Sequence, residues 1–254
     1  MNEVSTSQPS LRSTNNDVLS GQTVVIFGGT SGIGLSTAIQ AKAIGAKVIV
    51  VGNDAGRAER AALDNQLDGW RSADVTELET ISAALADIQQ VDHLVLLAGT
   101  FVAGTVMEAD VGYLRRAFEE RIWAAIHTIR TLGDRMSKDG SITFISGSLA
   151  ERPNAYGTAV LAAASAAMEA LARGLALELA PIRVNTLSPG PINTPILAKA
   201  LGDSRDGYVA ALEERLPLHR LGSAHEAGSA VLFLITNHNM NGATLNIDGG
   251  VRLV

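Results

Sequence analysis

The sequence predicts an α/β protein built on a doubly wound, mostly parallel sheet of roughly seven strands, with helices on both faces. Short and almost entirely apolar segments such as Lys47–Val51 alternate with longer segments of helical periodicity. Strands of this composition are typical of a parallel sheet covered on both faces, and the alternation implies right-handed crossovers. Residues 21–254 contain neither an internal repeat nor a linker, so we expect a single domain there.

Local patterns predict the individual elements in order. Apolar runs predict strands at 24–27, 47–51, 70–72, 92–97, 141–146, 183–187 and 243–247. Apolar periodicity predicts helices at about 36–44, 57–67, 76–90, 110–136, 158–179 and 224–236. Thr76-x-x-Glu79 matches a capping box, Asp139-Gly140 closes the long helix, and Pro181 stops the following one. Residues 191–221 are the least regular stretch, and we expect short helices within them.

The composition argues against several classes of protein. The formal net charge is −6, from 20 basic and 26 acidic residues, and no basic stripe is present. These features argue against nucleic-acid and anionic-membrane partners. There is no cysteine, which excludes disulfides, thiolate metal sites and a cysteine nucleophile. His219, His225 and His238 lack the spacing of metal ligands, so we predict no metal.

Residues 1–20 are rich in Ser, Thr and Asn and lack the apolar segment of a signal peptide. We therefore predict a flexible N-terminal tail at 1–20. We also expect that no apolar run is long enough to span a bilayer. The predicted protein is soluble and cytoplasmic.

The strand at 24–27 leads into a glycine turn, Gly28-Gly29-Thr30-Ser31-Gly32-Ile33-Gly34, and then into a helix. Glycine permits positive φ and a close approach of the backbone to a ligand. The N–H groups and dipole at the start of a helix favour an anion. This order of strand, glycines and helix predicts a site for the pyrophosphate of a dinucleotide.

Together with the glycine turn, several further segments make the chain resemble the short-chain dehydrogenase/reductase family over essentially 21–254. They are Asp74-Val75, Ala98-Gly99, Arg183-Val184-Asn185, Ser188-Pro189-Gly190, Thr194 and Asp248-Gly249-Gly250. The resemblance implies a single-domain Rossmann-type fold that binds NAD(P)(H). The cofactor contacts that it implies are Gly28, Thr30, Ser31, Gly32, Ile33, Gly34, Asp74, Val75, Ala98, Gly99, Pro189, Gly190, Ile192 and Thr194.

The choice between NAD(H) and NADP(H) depends on the end of the second strand. An acidic residue there would bind a ribose 2′-hydroxyl and repel a 2′-phosphate. Gly52 and Asn53 occupy this place, with Asp54 and Arg57 just beyond. Asn53 is a candidate contact for either cofactor, and the absence of an acidic side chain at 52 and 53 slightly favours NADP(H).

The proton relay of the resembled family is not retained. That family uses Ser, Tyr, Lys and Asn, with tyrosine and lysine one helical turn apart. Aligning the helix at 158–179 by its end places the tyrosine position on Leu161 and the lysine position on Ser165. The asparagine position falls on Arg121, and the serine is retained as Ser148 by spacing or as Ser146 by strand register.

Three residues are candidates for a substituted relay: Ser148, Tyr156 and Arg121. Tyr156 is the nearest tyrosine, but Val160 stands where its lysine partner would be. Arg121 supplies a positive charge or is a solvated or interface arginine. Arg152 either binds a carboxylate or phosphate through its guanidinium or lies at the rim.

Two main functions remain open on the sequence, beside a weaker third in which the nucleotide is only a scaffold for a non-redox reaction. The first is an NAD(P)-dependent oxidoreductase that acts on a small carbonyl or alcohol with an atypical or weakened proton relay. The second is a catalytically inactive dinucleotide-binding protein, a sensor or scaffold. In either case the resemblance implies a substrate lid at about 191–221 and a homo-oligomer, tetramer or dimer, joined through the helices at 110–136 and 158–179.

Overall fold

A computed structural model describes residues 17–254, apart from the side chains at positions 200 and 201. The predicted tail at 1–16 lies outside the described residues. Within the rest of that tail, the Leu19 side chain is 2% exposed, and its N–H donates to the Ile44 carbonyl at 2.9 Å. Packing against the domain therefore begins before residue 21.

Seven strands of the described chain form one parallel sheet, which confirms the predicted fold class. Their order is β3-β2-β1-β4-β5-β6-β9, and each neighbouring pair is parallel. These strands are β1 (Thr23–Phe27), β2 (Lys47–Gly52), β3 (Gly69–Ser72), β4 (Val91–Leu96), β5 (Met136–Ile145), β6 (Arg183–Pro189) and β9 (Thr244–Ile247). A separate pair joins β7 (Ile192–Asn193) to β8 (Gly222–Ser223).

Helices connect the strands along the chain. They are α1 (Gly32–Ala43), α2 (Ala55–Asp64), α3 (Leu78–Leu85), α4 (Val111–Phe118), α5 (Ala124–Leu132), α6 (Ala159–Glu178), α7 (Pro195–Leu201), α8 (Arg205–Arg215) and α9 (Ala224–Thr236). Both α7 and α8 lie in the segment where short helices are expected.

The sheet is buried on both faces because alternate residues of a strand point to opposite sides. On β1, Val25 and Phe27 join the core cluster that includes α5 and α6, while Val24 and Ile26 join the cluster beneath α1 and α9. All four side chains are at most 1% exposed. The sheet order reverses between β1 and β4, which is where ligands of doubly wound sheets bind.

The helix predicted at 110–136 is interrupted, and that prediction is wrong in detail. A π-helical turn, Glu119–Trp123, separates α4 from α5 and is called the π turn below. The helical segment ends before Met136, which begins β5. The predicted stop at Asp139-Gly140 is instead an irregularity within β5, where the pairing register with β4 shifts. A β-carbon on Gly140 would overlap the carbonyl of Asp92, so the close strand approach requires this glycine.

The predicted capping box at Thr76 and Glu79 is not formed. Helix α3 begins at Leu78, and Thr76 donates through its N–H and hydroxyl to the Asp74 carboxylate at 2.9 and 2.8 Å. A complete capping box is present at the start of α9, between Ser223 and Glu226.

Among residues 17–254, one helix has the length and apolar composition needed to cross a membrane, namely α6. The expectation that no run is long enough was therefore wrong. In the fold, α6 packs against β5, β6, α4 and the π turn, which is the environment of a core helix.

Candidate active site and cofactor cradle

The glycine turn is shaped by close backbone contacts. Gly28 has φ +79°, and a β-carbon there would lie 2.8 Å from the Ala98 nitrogen. A β-carbon on Gly34 would overlap the carbonyl oxygen of Gly28. Glycine at these two positions thus lets β1 approach the loop after β4 and lets α1 start directly above the strand.

The N-terminus of α1 leaves donors available for an anion. Its N-cap residue, Ser31, makes no side-chain capping bond. Among the described residues, the N–H groups of Gly32, Ile33 and Gly34 make no hydrogen bond. Free N–H groups at a helix start are a ready site for a pyrophosphate, so this cradle fits the expected dinucleotide.

The end of β2 brings Thr30, Asn53 and Arg57 to one side of the cradle. A β-carbon on Gly52 would lie 2.5 Å from the Thr30 methyl group, so Thr30 packs directly over this glycine. The Arg57 guanidinium donates to Asn53 Oδ1 at 2.7 Å, and the Asp54 carboxylate accepts from the Arg57 N–H as the N-cap of α2. Asn53 and Arg57 are both exposed. The arrangement presents an amide and a cation where a ribose 2′-substituent is expected.

Other predicted contacts line the same edge of the sheet. Val75 and Ala98 border a small cavity together with residues from the ends of β1, β4 and β5, namely Phe27, Leu96 and Ile145. Across the edge, Gly190 lies so close to Asp248 that a β-carbon would be 2.7 Å from its Cα. Thr194 is 8% exposed, and its methyl group lies 3.3 Å from the place of a Gly32 β-carbon.

The loop after β4 is fixed by Glu120 in the π turn. Glu120 is 5% exposed. Its Oε2 accepts from the N–H and the hydroxyl of Thr100, at 2.6 and 2.8 Å. Its Oε1 accepts from Nε and Nη2 of Arg116, at 3.0 and 2.6 Å. One carboxylate oxygen of Glu120 thus holds Thr100 in place, and the other binds Arg116.

The neighbouring Arg121 contacts the same loop from the π turn. Its Nη2 donates to the Thr100 carbonyl at 3.0 Å, and its Nη1 donates to the Ala117 carbonyl at 3.3 Å. Among residues 17–254 it forms no ion pair with a carboxylate. Burial lowers the pKa of Arg121, and nearby Glu120 opposes this shift; an arginine nevertheless stays charged at ordinary pH. Arg121 is thus a partly buried cation that lines the small cavity at the strand ends.

The two candidate serines have different environments. The Ser146 hydroxyl donates to Glu169 Oε1 at 2.7 Å and lies 3.1 Å from the Ser165 carbonyl, so Ser146 is engaged with α6. Ser148 begins a short 3-10 turn, Ser148–Ala150, called the serine turn below. Its side chain makes no hydrogen bond to another described residue. Ser148 is therefore the serine that remains available to a ligand.

The positions of the absent tyrosine and lysine lie in the interior. Leu161 and Ser165 are each 4% exposed, on a helix that packs against both the π turn and the serine turn. Tyr156 is 80% exposed, and within the described chain its hydroxyl makes no hydrogen bond. Tyr156, Ser148 and Arg121 make no hydrogen bond to one another.

The segment after the serine turn is joined to the C-terminal residues 248–254. Arg252 Nη1 pairs with Glu151 Oε1 at 2.9 Å, and its Nε pairs with Asp248 Oδ2 at 2.6 Å. Arg152 donates to the backbone oxygens of Arg252 and Val254 at 2.9 and 2.6 Å. Arg152 is thus committed to a protein contact at the rim.

Sequence reasoning missed Glu120, Glu169 and Arg252. The contacts that join them to Thr100, Ser146 and Glu151 span 20, 23 and 101 positions, so no local pattern indicates them. Local spacing could have indicated only the pairs of Arg116 with Glu120 and of Asp248 with Arg252, which are four residues apart. No group of three or more His, Asp or Glu side chains capable of holding a metal ion occurs within the described part of the chain.

A family model described as enoyl-(acyl carrier protein) reductase matches residues 28–252. ATR9, a short-chain dehydrogenase/reductase of Stachybotrys chlorohalonatus, is 33% identical, with 92% of this chain and 98% of ATR9 covered. The chain therefore belongs to the short-chain dehydrogenase/reductase family, and it is an NAD(P)-dependent oxidoreductase of that family.

Two solved structures are similar to this chain over most of its length. A small-chain dehydrogenase in complex with NADPH is 31% identical, with a TM-score of 0.78 and with 92% of this chain and 99% of that chain covered. The apo structure of a short-chain oxidoreductase from Pseudomonas aeruginosa PAO1, described as containing an atypical catalytic center, is 25% identical. Its TM-score is 0.82, with 92% of this chain and 98% of that chain covered.

Proposed function

We propose that this protein is an NADP(H)-dependent reductase of a small carbonyl compound in which Arg121 and Ser148 replace the usual proton relay. The observation that carries the proposal is the partly buried Arg121 guanidinium. It contacts the loop after β4 and has no carboxylate partner among the described residues. The carbonyl oxygens of Thr100 and Ala117 accept two of its hydrogen bonds, and its other N–H donors are left for a ligand.

Arg121 acts here by electrostatic stabilisation. Hydride addition to a carbonyl compound develops negative charge on oxygen, and a preorganised cation in a dry site lowers the energy of that charge. Ser148 donates a hydrogen bond to the same oxygen. Tyr156 has no role in this proposal, because its side chain is 80% exposed and its hydroxyl makes no hydrogen bond to a described residue.

The cofactor, when bound, supplies the hydride. Gly28, Gly32 and Gly34 leave room for the pyrophosphate, and the N-terminus of α1 binds it. Asp74 and Val75 contact adenine, while Pro189, Gly190, Ile192 and Thr194 hold the nicotinamide side. The Arg57 guanidinium beside Asn53 supports a preference for NADP(H) over NAD(H), because it would pair with a 2′-phosphate.

The buried Leu161 and Ser165 favour a second candidate, a dinucleotide-binding protein without turnover. The decisive variant is Arg121→Gln, which removes the charge. Its control is Arg115→Gln on α4, where the arginine side chain is 73% exposed. NADPH oxidation with a panel of carbonyl compounds measures turnover, and a thermal shift with NADPH measures binding.

We expect Arg121→Gln to lower turnover about 10²–10³-fold and to leave the thermal shift intact, while Arg115→Gln changes neither. Equal turnover in wild type and Arg121→Gln would overturn the role of Arg121. A thermal shift without turnover in the wild type would favour the second candidate. No shift with NADPH or NADH would overturn the cofactor site itself.

We also propose a homo-oligomer. Val111, Tyr113 and Trp123 are 68%, 37% and 48% exposed along α4 and the π turn, which supports a helix-mediated contact between copies. Size-exclusion chromatography with light scattering tests it. The cytoplasmic location stays a prediction.

A further inference from the structure

Two consecutive residues of the π turn hold Thr100 by different groups. Glu120 Oε2 accepts from the Thr100 N–H and hydroxyl at 2.6 and 2.8 Å. Arg121 Nη2 donates to the Thr100 carbonyl at 3.0 Å. All three polar groups of Thr100 are therefore bound by the π turn, and a displacement of Thr100 would also displace Arg121.

The charges around Thr100 are not paired equally. Glu120 is 5% exposed, and its Oε1 accepts from Nε and Nη2 of Arg116 at 3.0 and 2.6 Å. Among residues 17–254, no ion pair joins Glu120 to Arg121. Burial lowers the pKa of Arg121 and the charge of Glu120 acts in the opposite direction, so these two charges interact without contact. Arg116 is thus the partner that neutralises the buried carboxylate.

The loss of Arg116 would change this balance. Removing one member of a buried ion pair leaves the other charge uncompensated, which is strongly unfavourable. The Glu120 carboxylate would then need another cation, and Arg121 follows it in the chain and binds the same loop residue. A carboxylate paired with Arg121 would cancel the positive charge that the site offers to a substrate oxygen.

We infer that Glu120 and Arg116 are positioning residues of the reduction. Glu120 fixes Arg121 through Thr100, and Arg116 neutralises Glu120 and so preserves the charge of Arg121. Neither Glu120 nor Arg116 has to contact the substrate, and the Arg116 side chain is 51% exposed. The inference rests on the proposed function, because it needs Arg121 as the cation of the site.

Helix α4 offers a matched control pair. Arg115 and Glu119 are also four residues apart, with Nη2 and Oε1 at 3.7 Å and side chains that are 73% and 37% exposed. An exposed pair of this kind contributes little to stability. Arg115→Gln therefore makes the same change on the same helix, but its partner is not buried.

Crystal structures of the variants test the rearrangement without any substrate. In Arg116→Gln, we expect the Arg121 guanidinium to leave the Thr100 carbonyl and to lie within about 4 Å of the Glu120 carboxylate, the reach of an ion pair. In Arg115→Gln it should stay on Thr100. An Arg121 side chain that keeps its wild-type contacts in Arg116→Gln would overturn the inference.

Turnover tests the consequence for the reaction. NADPH oxidation with the fastest of benzaldehyde, cyclohexanone and ethyl acetoacetate gives kcat and KM. Arg116→Gln should lower kcat about tenfold, less than the loss of a whole donor, and leave the KM for NADPH unchanged. Adding Glu120→Gln should restore kcat, because an amide keeps an acceptor for Thr100 but has no charge. A double variant as slow as Arg116→Gln would overturn the inference.

The Arg121→Gln background separates this electrostatic effect from damage to the helix. There, Arg116→Gln should leave kcat unchanged, because no cation remains to be cancelled. A further tenfold loss in that background would show a merely structural role and overturn the inference.

A second comparison applies if Arg116→Gln does not fold. Glu120→Gln should keep most of the wild-type kcat, whereas Glu120→Ala should lose about tenfold, because Thr100 loses its acceptor. Equal kcat in these two variants would overturn the inference.

The outcomes also distinguish this inference from the proposed function. Equal turnover in wild type and Arg121→Gln, or NADPH binding without turnover in the wild type, would refute the proposed function and the inference with it. A loss of turnover in Arg121→Gln with none in Arg116→Gln would refute the inference alone.

Discussion

The guanidinium of Arg121 lies directly against the backbone of Gly99. A β-carbon at residue 99 would stand 3.2 Å from the guanidinium carbon and 3.3 Å from both terminal nitrogens. Gly99 also has φ +151°. The glycine of the loop after β4 thus sets the position of the cation, and Thr100 holds it there through its carbonyl.

The substitution Gly99→Ala should displace Arg121 by a few tenths of an ångström and lower turnover about tenfold, because small misplacements of a catalytic charge are costly. A double-mutant cycle with Arg121→Gln separates a loss of turnover caused by displacing Arg121 from a loss caused by disrupting the loop itself. In the Arg121→Gln background, Gly99→Ala should have little further effect. Gly133→Ala, also at positive φ but with open space around it, is the control. Additive losses in the cycle would contradict the proposed coupling.

The contact between Arg57 and Asn53 predicts how the cofactor is selected. Arg57→Leu should weaken NADPH binding roughly 10–100-fold, the usual range for a charge-assisted hydrogen bond, and leave NADH binding unchanged. Isothermal titration with both cofactors measures the ratio. Arg71→Leu is the control, since Arg71, on the adjacent strand β3, is bound to Asp87. An equal loss of affinity for both cofactors would show that Arg57 does not bind the 2′-phosphate.

The ionic contacts of Arg252 join the C-terminal residues to the segment that follows the serine turn. Burial raises the pKa of the Asp248 carboxyl, but the hydrogen bonds from Arg252 and Gly250 outweigh it and leave that pKa below its ordinary value. The carboxylate is thus charged at neutral pH, and Arg252 connects it to Glu151.

Arg252→Ala should therefore loosen both segments. Amide hydrogen exchange at 148–152 and 250–253 should accelerate roughly fivefold, as expected for the loss of about 1 kcal/mol from a partly exposed ion pair. Arg220→Ala, which breaks the surface pair with Glu226, should leave exchange in these segments unchanged. Exchange at 148–152 that is insensitive to Arg252→Ala would show that the serine turn is held by other contacts.

The fold was predictable because its signals are local and repeated. The alternation of Val24 and Ile26 with Val25 and Phe27 is enough to indicate a strand buried on both faces. The π turn was not predictable, since Glu119–Trp123 continues a helical pattern without a break. Gly140 correctly indicated a break in regular structure, but a glycine is equally compatible with an irregularity within a strand and with a turn that ends a helix.

The candidate site was predictable where one short segment carries it, as in the glycine turn. The sequence placed Arg121 at the asparagine position of the resembled family but did not predict its contacts, because its partner Thr100 lies in a different loop. Glu120 and Thr100 are 20 positions apart, and Glu151 and Arg252 are 101 apart. Such contacts depend on how the strands are ordered, which no local pattern specifies.

The buried His93 on β4 should make the protein sensitive to acid. Its ring is 2% exposed. With Nε2 donating to Gln22 Oε1 at 2.6 Å, Nδ1 accepts from the Ser141 hydroxyl at 2.8 Å. Burial, with the charge of Arg183, lowers the pKa of His93 to about 4 from 6.5. The unfolded chain therefore takes up this proton at a higher pH than the folded chain does.

The contribution of His93 to the free energy of unfolding is therefore complete above pH 6.5 and is lost as the pH falls from about 6.5 to about 4. The loss amounts to roughly 3 kcal/mol. Urea unfolding at a series of pH values measures the slope of the free energy of unfolding against pH. The wild type should show the fall between about pH 6.5 and about pH 4, and so should the control His225→Gln, whose histidine is exposed. The slope should be reduced in His93→Gln, whatever the variant's absolute stability. An unchanged slope in His93→Gln would mean that other groups cause the acid sensitivity.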